Sequence, residues 1–198
     1  MTTANKITIL RILLVPFFIM QILYYTRSQD EWYRLLAILS FAMAAISDGV
    51  DGYIARHYNQ RSELGAILDP LADKLLLLSG TVLLSLDNLP HLQRIPLWLV
   101  TTIVSRDILL FIGTGVIYYT CGKVIIQPRV FGKIATVLQM IILLWILLKW
   151  DPAWLGLLSF SAALFTGGSG ILYLLDGVRQ LNTSPRSAAS PPPLMPWT

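Results

Sequence analysis

The chain has 198 residues, of which 55% are hydrophobic and only 13% are charged, and its formal net charge is +4. This composition, with a mean hydropathy of +0.65, is that of a membrane protein rather than a water-soluble domain. Cys121 is the only cysteine, which excludes an intrachain disulfide and a thiolate metal cluster and favours a structural thiol. The positive charge suits an anionic membrane leaflet or a phosphate-bearing substrate, and no stretch resembles a nucleic-acid-binding module.

Apolar runs long enough to cross a bilayer, which takes roughly 17 to 25 residues, recur along the chain. In order they cover about 7–25, 32–50, 66–86, 96–120, 131–149 and 154–175. We therefore predict an all-α integral membrane protein, a bundle of six transmembrane helices that forms one domain over 1–181.

The ends of these runs carry three further signals. The first run contains Arg11 and Pro16 and has no small-residue cleavage site after it, so we expect it to remain as an anchor. The second run grades into the segment Asp48–Tyr58, which we expect to continue the same helix. Residues 182–198 are rich in Pro and Ser without periodicity, which predicts a disordered tail.

Basic residues near the ends of the spans predict the orientation, because Lys and Arg concentrate on the cytoplasmic side. With six spans, one side receives Lys6, Arg11, Arg56, Arg61, Lys123, Arg129, Lys133, Arg179 and Arg186. The other side receives Arg27, Arg34, Arg94 and Lys149. We therefore expect both termini to be cytoplasmic.

Four aspartates stand where the chain should be inside a membrane. Asp48 and Asp51 are three residues apart, and Asp69 and Asp73 are four apart, so each pair projects from one face of a helix. Carboxylates at bilayer depth repel one another and are costly unless cations lie between them. Hard oxygen ligands suit Mg²⁺, Mn²⁺ or Ca²⁺, while the scarcity of Cys and His argues against zinc or copper. The spacing therefore predicts a two-metal acidic site.

Small residues and an arginine accompany these carboxylates. Gly52 lies one turn from Asp48 and leaves room for a phosphate-bearing ligand to approach the metals, whereas Gly49 is equally explained by close helix packing. Arg56 follows one turn later, where it could pair with a phosphate or reach towards the membrane surface.

The whole acidic stretch has one fixed pattern, Asp48-x-x-Asp51-Gly52-x-x-Ala55-Arg56, then eight residues, then Gly65-x-x-x-Asp69-x-x-x-Asp73. This pattern resembles the signature of the CDP-alcohol phosphatidyltransferase family, and the resemblance extends from Asn5 to about Leu175. It implies a six-helix integral membrane enzyme, usually a homodimer. Such an enzyme moves a phosphatidyl group from CDP-diacylglycerol to an alcohol and releases CMP.

The resemblance also implies roles for individual residues. Two divalent cations, Mg²⁺ or Mn²⁺, would be held by Asp48, Asp51, Asp69 and Asp73. Asp73 would also be the catalytic general base that takes the proton of the acceptor hydroxyl. The CDP site would be lined by Gly52, Ala55, Arg56 and Gly65, together with Thr8 and Arg11 near the N-terminus.

Two of these assignments keep alternatives. Ala4 stands where family members often have a proline, and Arg11 could anchor the first helix instead of reaching the nucleotide. Lys74, next to the predicted base, is better explained by an ion pair or the membrane surface than by catalysis.

Basic residues of the second half predict the acceptor site. Arg106 and Asp107 lie within the fourth run, where charges are functional candidates by default, although the two could simply pair with each other. Arg129 and Lys133 precede and begin the fifth helix on the side of the predicted active site. Together Arg106, Arg129 and Lys133 would bind the phosphate of the acceptor.

The identity of the acceptor stays open between two candidates. Ser105-Arg106-Asp107 and Lys133-x-x-Thr136-x-x-Gln139 look closer to cardiolipin synthases of the family, which would use phosphatidylglycerol. Small bacterial members most often make phosphatidylglycerophosphate, so glycerol 3-phosphate is our leading acceptor, and an inositol phosphate is a weaker third. We expect a bacterial inner-membrane location with a cytoplasmic active site.

A function of another class is also considered, because acidic residues inside membranes line cation channels and proton-coupled transporters. A transporter would spread them over two related halves, and the sequence has no internal repeat. Gly167-Gly168-Ser169-Gly170 would fit a broken helix, but close helix packing explains it better.

Overall fold

The computed structural model describes residues 3–58, 74–86, 92–121 and 130–182, and the regular structure in these segments is entirely helical. The helices are α1 (Thr3–Ser28), α2 (Glu31–Tyr58), α3 (Lys74–Leu83), α4 (Leu97–Cys121), α5 (Val130–Leu147) and α6 (Ala153–Asn182). The expected continuation of the second helix through Tyr58 is confirmed.

Within the described residues, four segments are long and apolar enough to cross a bilayer, which confirms the prediction of an all-α integral membrane protein. They are Ile9–Ser28, Leu97–Val116, Val130–Leu147 and Ala153–Val178. Helix α2 is less apolar because charged residues occupy both of its ends. Helix α3 is described for ten residues only, Lys74–Leu83, since the first part of the predicted third span lies outside the described residues. The count of six spans therefore stays a prediction.

Helices α1 and α2 form an antiparallel hairpin. The chain reverses over Gln29, whose φ of 58° is in the left-handed region, and Asp30, whose carboxylate accepts the backbone N–H of Trp32 at 3.0 Å. That bond satisfies a donor at the start of α2, as an N-cap does. The fully buried rings of Phe18 and Phe41 then meet at 5.7 Å between the helices. The start of α1 consequently lies beside the end of α2.

The direction of α5 follows from two contacts with the start of α2. The Arg34 guanidinium donates to the carbonyl of Leu147 at 2.6 Å, and the Lys149 ammonium donates to Glu31 at 2.5 Å. Because α2 and α5 also pack against each other, α5 is antiparallel to α2 and its start lies towards the end of α2. Helix α6 packs on both α4 and α5.

Gly80 marks the place where α3 enters the core between α1 and α5. A Cβ atom at this position would lie 3.1 Å from the Leu143 side chain and 3.2 Å from the Phe18 ring. Leu143 and Phe18 are both fully buried. Close packing of the three helices around a glycine is the arrangement expected inside a membrane bundle.

Two ends of the bundle can now be distinguished. We call one the loop end, formed by 28–34, 84–86, 92–95 and 147–152. We call the other the acidic end, formed by the start of α1, residues 48–58 of α2, and the start of α5. The basic residues predicted for one membrane side, Arg27, Arg34, Arg94 and Lys149, all lie at or next to the loop end.

The loop end is tied together by hydrogen bonds between its connections. Gln93 donates to the carbonyl of Trp150 at 2.6 Å, and the indole of Trp145 donates to the carbonyl of Asp151 at 3.0 Å. The backbone N–H of Ile95 donates to the carbonyl of Leu84 at 3.0 Å. These bonds hold the connections of α3 to α4 and of α5 to α6 against the helices.

Candidate functional site

The last third of α2 carries the first half of the acidic pattern on continuous helix. Its members are Asp48, Asp51, Gly52, Ala55 and Arg56, whose spacing of three and four residues places them along one face. Residues 59–73 lie outside the described residues, and with them Gly65, Asp69 and Asp73. The site of four carboxylates therefore remains a prediction, of which the structure describes the helix that carries one pair.

Arg11 in α1 is fully buried, with 0% of its surface exposed. An arginine that only anchored the helix would reach the membrane surface, so the burial favours an inward-facing role. Thr8 lies one turn earlier on the same helix. The hairpin brings this part of α1 beside the end of α2, which is the neighbourhood predicted for the CDP site.

Lys74, Arg106 and Asp107 form a cluster of charges, which we call the α4 charge cluster. The Lys74 ammonium donates to both carboxylate oxygens of Asp107, at 2.7 and 2.8 Å. The Nη1 group of Arg106 donates to Oδ1 of Asp107 at 2.7 Å. Among these three residues, the charged groups that the structure describes here, one carboxylate faces two cations and leaves one net positive charge. Of the two explanations left open for Lys74, the ion pair is present, and so is the Arg106–Asp107 pair that was considered as an alternative to a functional role.

The Arg106 side chain lies in a slot between α5 and α6. Its Nη2 group donates to the Ser169 hydroxyl at 3.1 Å, and its guanidinium carbon lies 5.9 Å from the centre of the Tyr173 ring. A Cβ atom on Gly132 would come within 3.0 Å of Nη2, and one on Gly170 within 3.5 Å of Cγ. Gly132 therefore makes room for the guanidinium, and Gly170 lies in ordinary contact with the arginine side chain.

Helix α6 runs without a break through Gly167-Gly168-Ser169-Gly170. The broken-helix interpretation of this segment is therefore wrong, and the contact of Gly170 with Arg106 supports close packing.

The other two predicted acceptor residues are less completely described. Lys133 follows Gly132 in α5 and is exposed, whereas Arg129 lies outside the described residues. Thr136 donates to the carbonyl of Gly132 at 3.0 Å and so turns its hydroxyl back to its own helix. The structure thus places Arg106 beside Gly132, the residue before Lys133. That Arg106, Arg129 and Lys133 converge on one site stays a prediction.

The sequence indicated Arg106 but not most of its partners. Ser169 lies 63 residues further along the chain, and Lys74 lies 33 residues before Asp107. No pattern in either stretch points to the other. The only signal was the small-residue run of 167–170, which marks a surface where another helix approaches closely.

The fit of divalent cations rests on the chemistry of the donors. Among the side chains that the structure describes, no group of three or more His, Cys, Asp or Glu comes together. The predicted ligands Asp48, Asp51, Asp69 and Asp73 are not among those side chains. Carboxylate oxygens without nearby thiols are the donors that Mg²⁺ and Mn²⁺ prefer. The residues of the pattern therefore fit such cations.

Comparison with known proteins gives one consistent result. The model of the family described as CDP-alcohol phosphatidyltransferase matches residues 1–168. The chain is 32% identical over 177 residues to a protein of Salmonella typhimurium named CDP-diacylglycerol--glycerol-3-phosphate 3-phosphatidyltransferase, and the match covers 85% of this chain and 90% of that protein. Proteins of the same name from Shigella flexneri and Escherichia coli match with the same identity and the same coverage.

Proposed function

Since the chain belongs to the CDP-alcohol phosphatidyltransferase family, as its acidic pattern predicted, we propose that it transfers the phosphatidyl group of CDP-diacylglycerol to glycerol 3-phosphate. The family makes the chain a membrane-bound phosphatidyltransferase of phospholipid synthesis, which removes the transporter alternative. The observation that carries the choice of acceptor is the 32% identity, over 85% of the chain, to relatives named for glycerol 3-phosphate. A charge cluster with one net positive charge beside the acidic end supports it.

The reaction exchanges one phosphorus–oxygen bond for another. The acceptor hydroxyl oxygen bonds to the phosphorus that carries diacylglycerol, the bond from that phosphorus to the CMP oxygen breaks, and CMP leaves. In the proposal Asp73 takes the hydroxyl proton. Two divalent cations held by Asp48, Asp51, Asp69 and Asp73 would neutralise the pyrophosphate and stabilise the departing phosphate.

The CDP moiety is proposed to bind along the last third of α2. Gly52 and Ala55 have little or no side chain there, so the pyrophosphate can approach the backbone of the helix. Arg56 offers a guanidinium for bidentate contact with a phosphate. Gly65, Thr8 and Arg11 complete the proposed CDP site, and the burial of Arg11 supports its inward-facing role.

The acceptor is proposed to bind through Arg106, Arg129 and Lys133. Glycerol 3-phosphate has no acyl chains to hold it in the bilayer, so charges must supply almost all of its binding. Phosphatidylglycerol carries its own chains and a single phosphodiester charge, and it would need fewer cations. The net positive charge around Arg106 therefore favours the soluble phosphomonoester over phosphatidylglycerol.

The cellular setting is part of the same proposal. The chain is an integral membrane protein, and we assign it to the bacterial inner membrane, with both termini and the acidic end cytoplasmic. It would act as a homodimer whose catalytic domain is 1–181. Of the tail predicted over 182–198, Asn182 ends α6 and 183–198 lie outside the described residues. Two divalent cations, Mg²⁺ or Mn²⁺, would be its cofactors.

The test supplies purified enzyme with CDP-diacylglycerol and Mg²⁺ and with each acceptor separately, and the lipid product is identified by mass spectrometry. Phosphatidylglycerophosphate from glycerol 3-phosphate is expected. Cardiolipin from phosphatidylglycerol, with no product from glycerol 3-phosphate, would overturn the acceptor and leave the class of reaction intact.

A further inference from the structure

Asp107 is the one residue of the α4 charge cluster that both cations contact. Its carboxylate receives the Lys74 ammonium at 2.7 and 2.8 Å and the Arg106 guanidinium at 2.7 Å. Because Lys74 belongs to α3 and Arg106 to α4, this single carboxylate joins two helices. It also fixes how far apart the two cations stand.

The Arg106 guanidinium is held from several sides by residues of the protein. Its Nη1 group donates to Asp107 and its Nη2 group donates to Ser169, and the Tyr173 ring lies 5.9 Å from the guanidinium carbon. Only 10% of the Arg106 side chain is exposed. A cation whose position is already fixed loses little conformational freedom when it binds a ligand.

We propose that Asp107 is a positioning residue for the acceptor, one that orients Arg106 and Lys74 so that the acceptor phosphate meets a preorganised pair of cations. The inference rests on the proposed function, because it assigns the pair to the phosphate of glycerol 3-phosphate. It differs from a role in charge balance alone, and the two roles lead to opposite results.

Replacement of Asp107 by Asn separates the two roles. The change raises the net charge of the cluster from one to two positive charges, since Lys74 and Arg106 remain. If Asp107 only reduced the positive charge, the variant would bind a phosphate more tightly. If Asp107 positions the cations, they repel each other without it, and Lys74, which is 41% exposed, turns towards solvent. Binding of the phosphate is then weaker despite the higher charge.

The experiment measures kcat and both KM values on the full-length enzyme in lipid nanodiscs. We expect Asp107→Asn to raise the KM for glycerol 3-phosphate roughly tenfold or more, as for the loss of a charged hydrogen bond, and to leave the KM for CDP-diacylglycerol unchanged. Asp107→Glu keeps the charge and should recover most of the affinity. The matched control is Glu31→Gln, because Glu31 also contacts one lysine and one arginine but lies at the loop end.

A double-mutant cycle tests the link between the two helices. Lys74→Met should raise the KM for glycerol 3-phosphate less than Asp107→Asn does, since the Arg106–Asp107 pair remains. The double variant should be no worse than Asp107→Asn, because the contact is already lost. Effects of the two single changes that simply multiply would overturn the proposed coupling.

The other outcomes are equally defined. A KM for glycerol 3-phosphate that falls or stays constant in Asp107→Asn, or a failure of Asp107→Glu to recover it, overturns the proposal. KM does not depend on the fraction of folded enzyme, so a loss of stability alone leaves it unchanged. If Asp107→Asn cannot be purified, Ser169→Ala removes the other contact without a charge change and should raise the same KM about two- to fivefold. A wild-type enzyme that makes no product from glycerol 3-phosphate would instead overturn the proposed function, before any variant is compared.

Discussion

The loop end and the α4 charge cluster each contain one carboxylate with one lysine and one arginine, in different surroundings. At the loop end Glu31 contacts Lys149 and Arg34, and in the α4 charge cluster Asp107 contacts Lys74 and Arg106. The Glu31 side chain is 55% exposed, whereas that of Asp107 is 23% exposed. Exposed ion pairs contribute little to stability, while a partly buried charge is costly once its partner is removed. Burial, rather than residue types, therefore distinguishes the contact at the loop end from the one at the proposed acceptor site.

Protonation also follows the surroundings at the loop end. The hydrogen bond from Lys149, followed by that from Arg34, holds the pKa of Glu31 below its usual value. The contacts of Lys149 with Glu31 and then with Tyr25 raise the pKa of the lysine. Both groups therefore keep their charge through the neutral pH range, and the Lys149–Glu31 ion pair is retained there.

Removal of divalent cations should have the largest effect, and it should act on the proposed metal site and not on the loop end. Excess EDTA should abolish CMP release, because carboxylates without cations repel the pyrophosphate of the substrate. Addition of Mg²⁺ or Mn²⁺ should restore the activity, and the contacts of the loop end should not be affected. Full turnover of CDP-diacylglycerol in excess EDTA would contradict the metal assignment and remove this contrast.

The next largest effect is expected from Asp73→Asn. The amide keeps the shape of the side chain but cannot accept the proton, so kcat should fall by about 10² to 10⁴, the usual contribution of a general base. Binding of CDP-diacylglycerol should be retained. Asp69→Asn serves as the comparison, since it should also weaken metal binding. Turnover of Asp73→Asn near the wild-type rate would place the base on another residue.

Arg106→Ala should have an intermediate effect that is confined to one substrate. The KM for glycerol 3-phosphate should rise by about 1.5–3 kcal/mol in free-energy terms, the contribution of hydrogen bonds to charged groups. Lys133→Ala should act in the same direction. Steady-state kinetics with each substrate varied in turn measure both constants. Equal rises in the KM for CDP-diacylglycerol would mean that these bases do not form an acceptor site.

The smallest effect is expected at the loop end, from Glu31→Gln. Glu31 has a lowered pKa in the folded protein, so its contribution is present above its ordinary value of 4.5 and is lost as the pH falls through the folded value. Lys149 has a raised pKa, so its contribution is complete below 10.5 and is lost as the pH rises through the folded value. The difference in Tm between wild type and Glu31→Gln should therefore be small at neutral pH and absent at both extremes. A large difference that does not change with pH would show that Glu31 is more than a surface contact.

What could be predicted from the sequence depends on how far apart along the chain the interacting residues lie. The long apolar helices, and the shared helical face of Asp48, Asp51 and Arg56, depend on residues within a few turns of one another. Hydropathy and helical period therefore suffice to predict them. The contacts of Asp107 with Lys74 and of Arg106 with Ser169 depend on how distant helices stack. Neither hydropathy nor spacing gives information on such stacking. The sequence therefore indicated that Arg106 and Asp107 could pair, but not their contacts with Lys74 and Ser169. For helix α2 the sequence predicts the helix clearly, but the charged residues at its ends lower the hydropathy by which a membrane span is recognised.

Gly132 limits how the proposed acceptor site around Arg106 could be redesigned for other alcohols. A methyl group at position 132 would come within 3.0 Å of Nη2, and the flexible end of the arginine would yield before the backbone of α5 does. Libraries that randomise Gly132 would therefore contain mostly members with a displaced guanidinium, whereas a Cβ at Gly170 would lie in ordinary contact with Cγ of Arg106, at 3.5 Å. Engineers who wish to change the substrate range should keep Gly132 and vary Lys133 and Thr136, which lie on the same helix without enclosing the arginine.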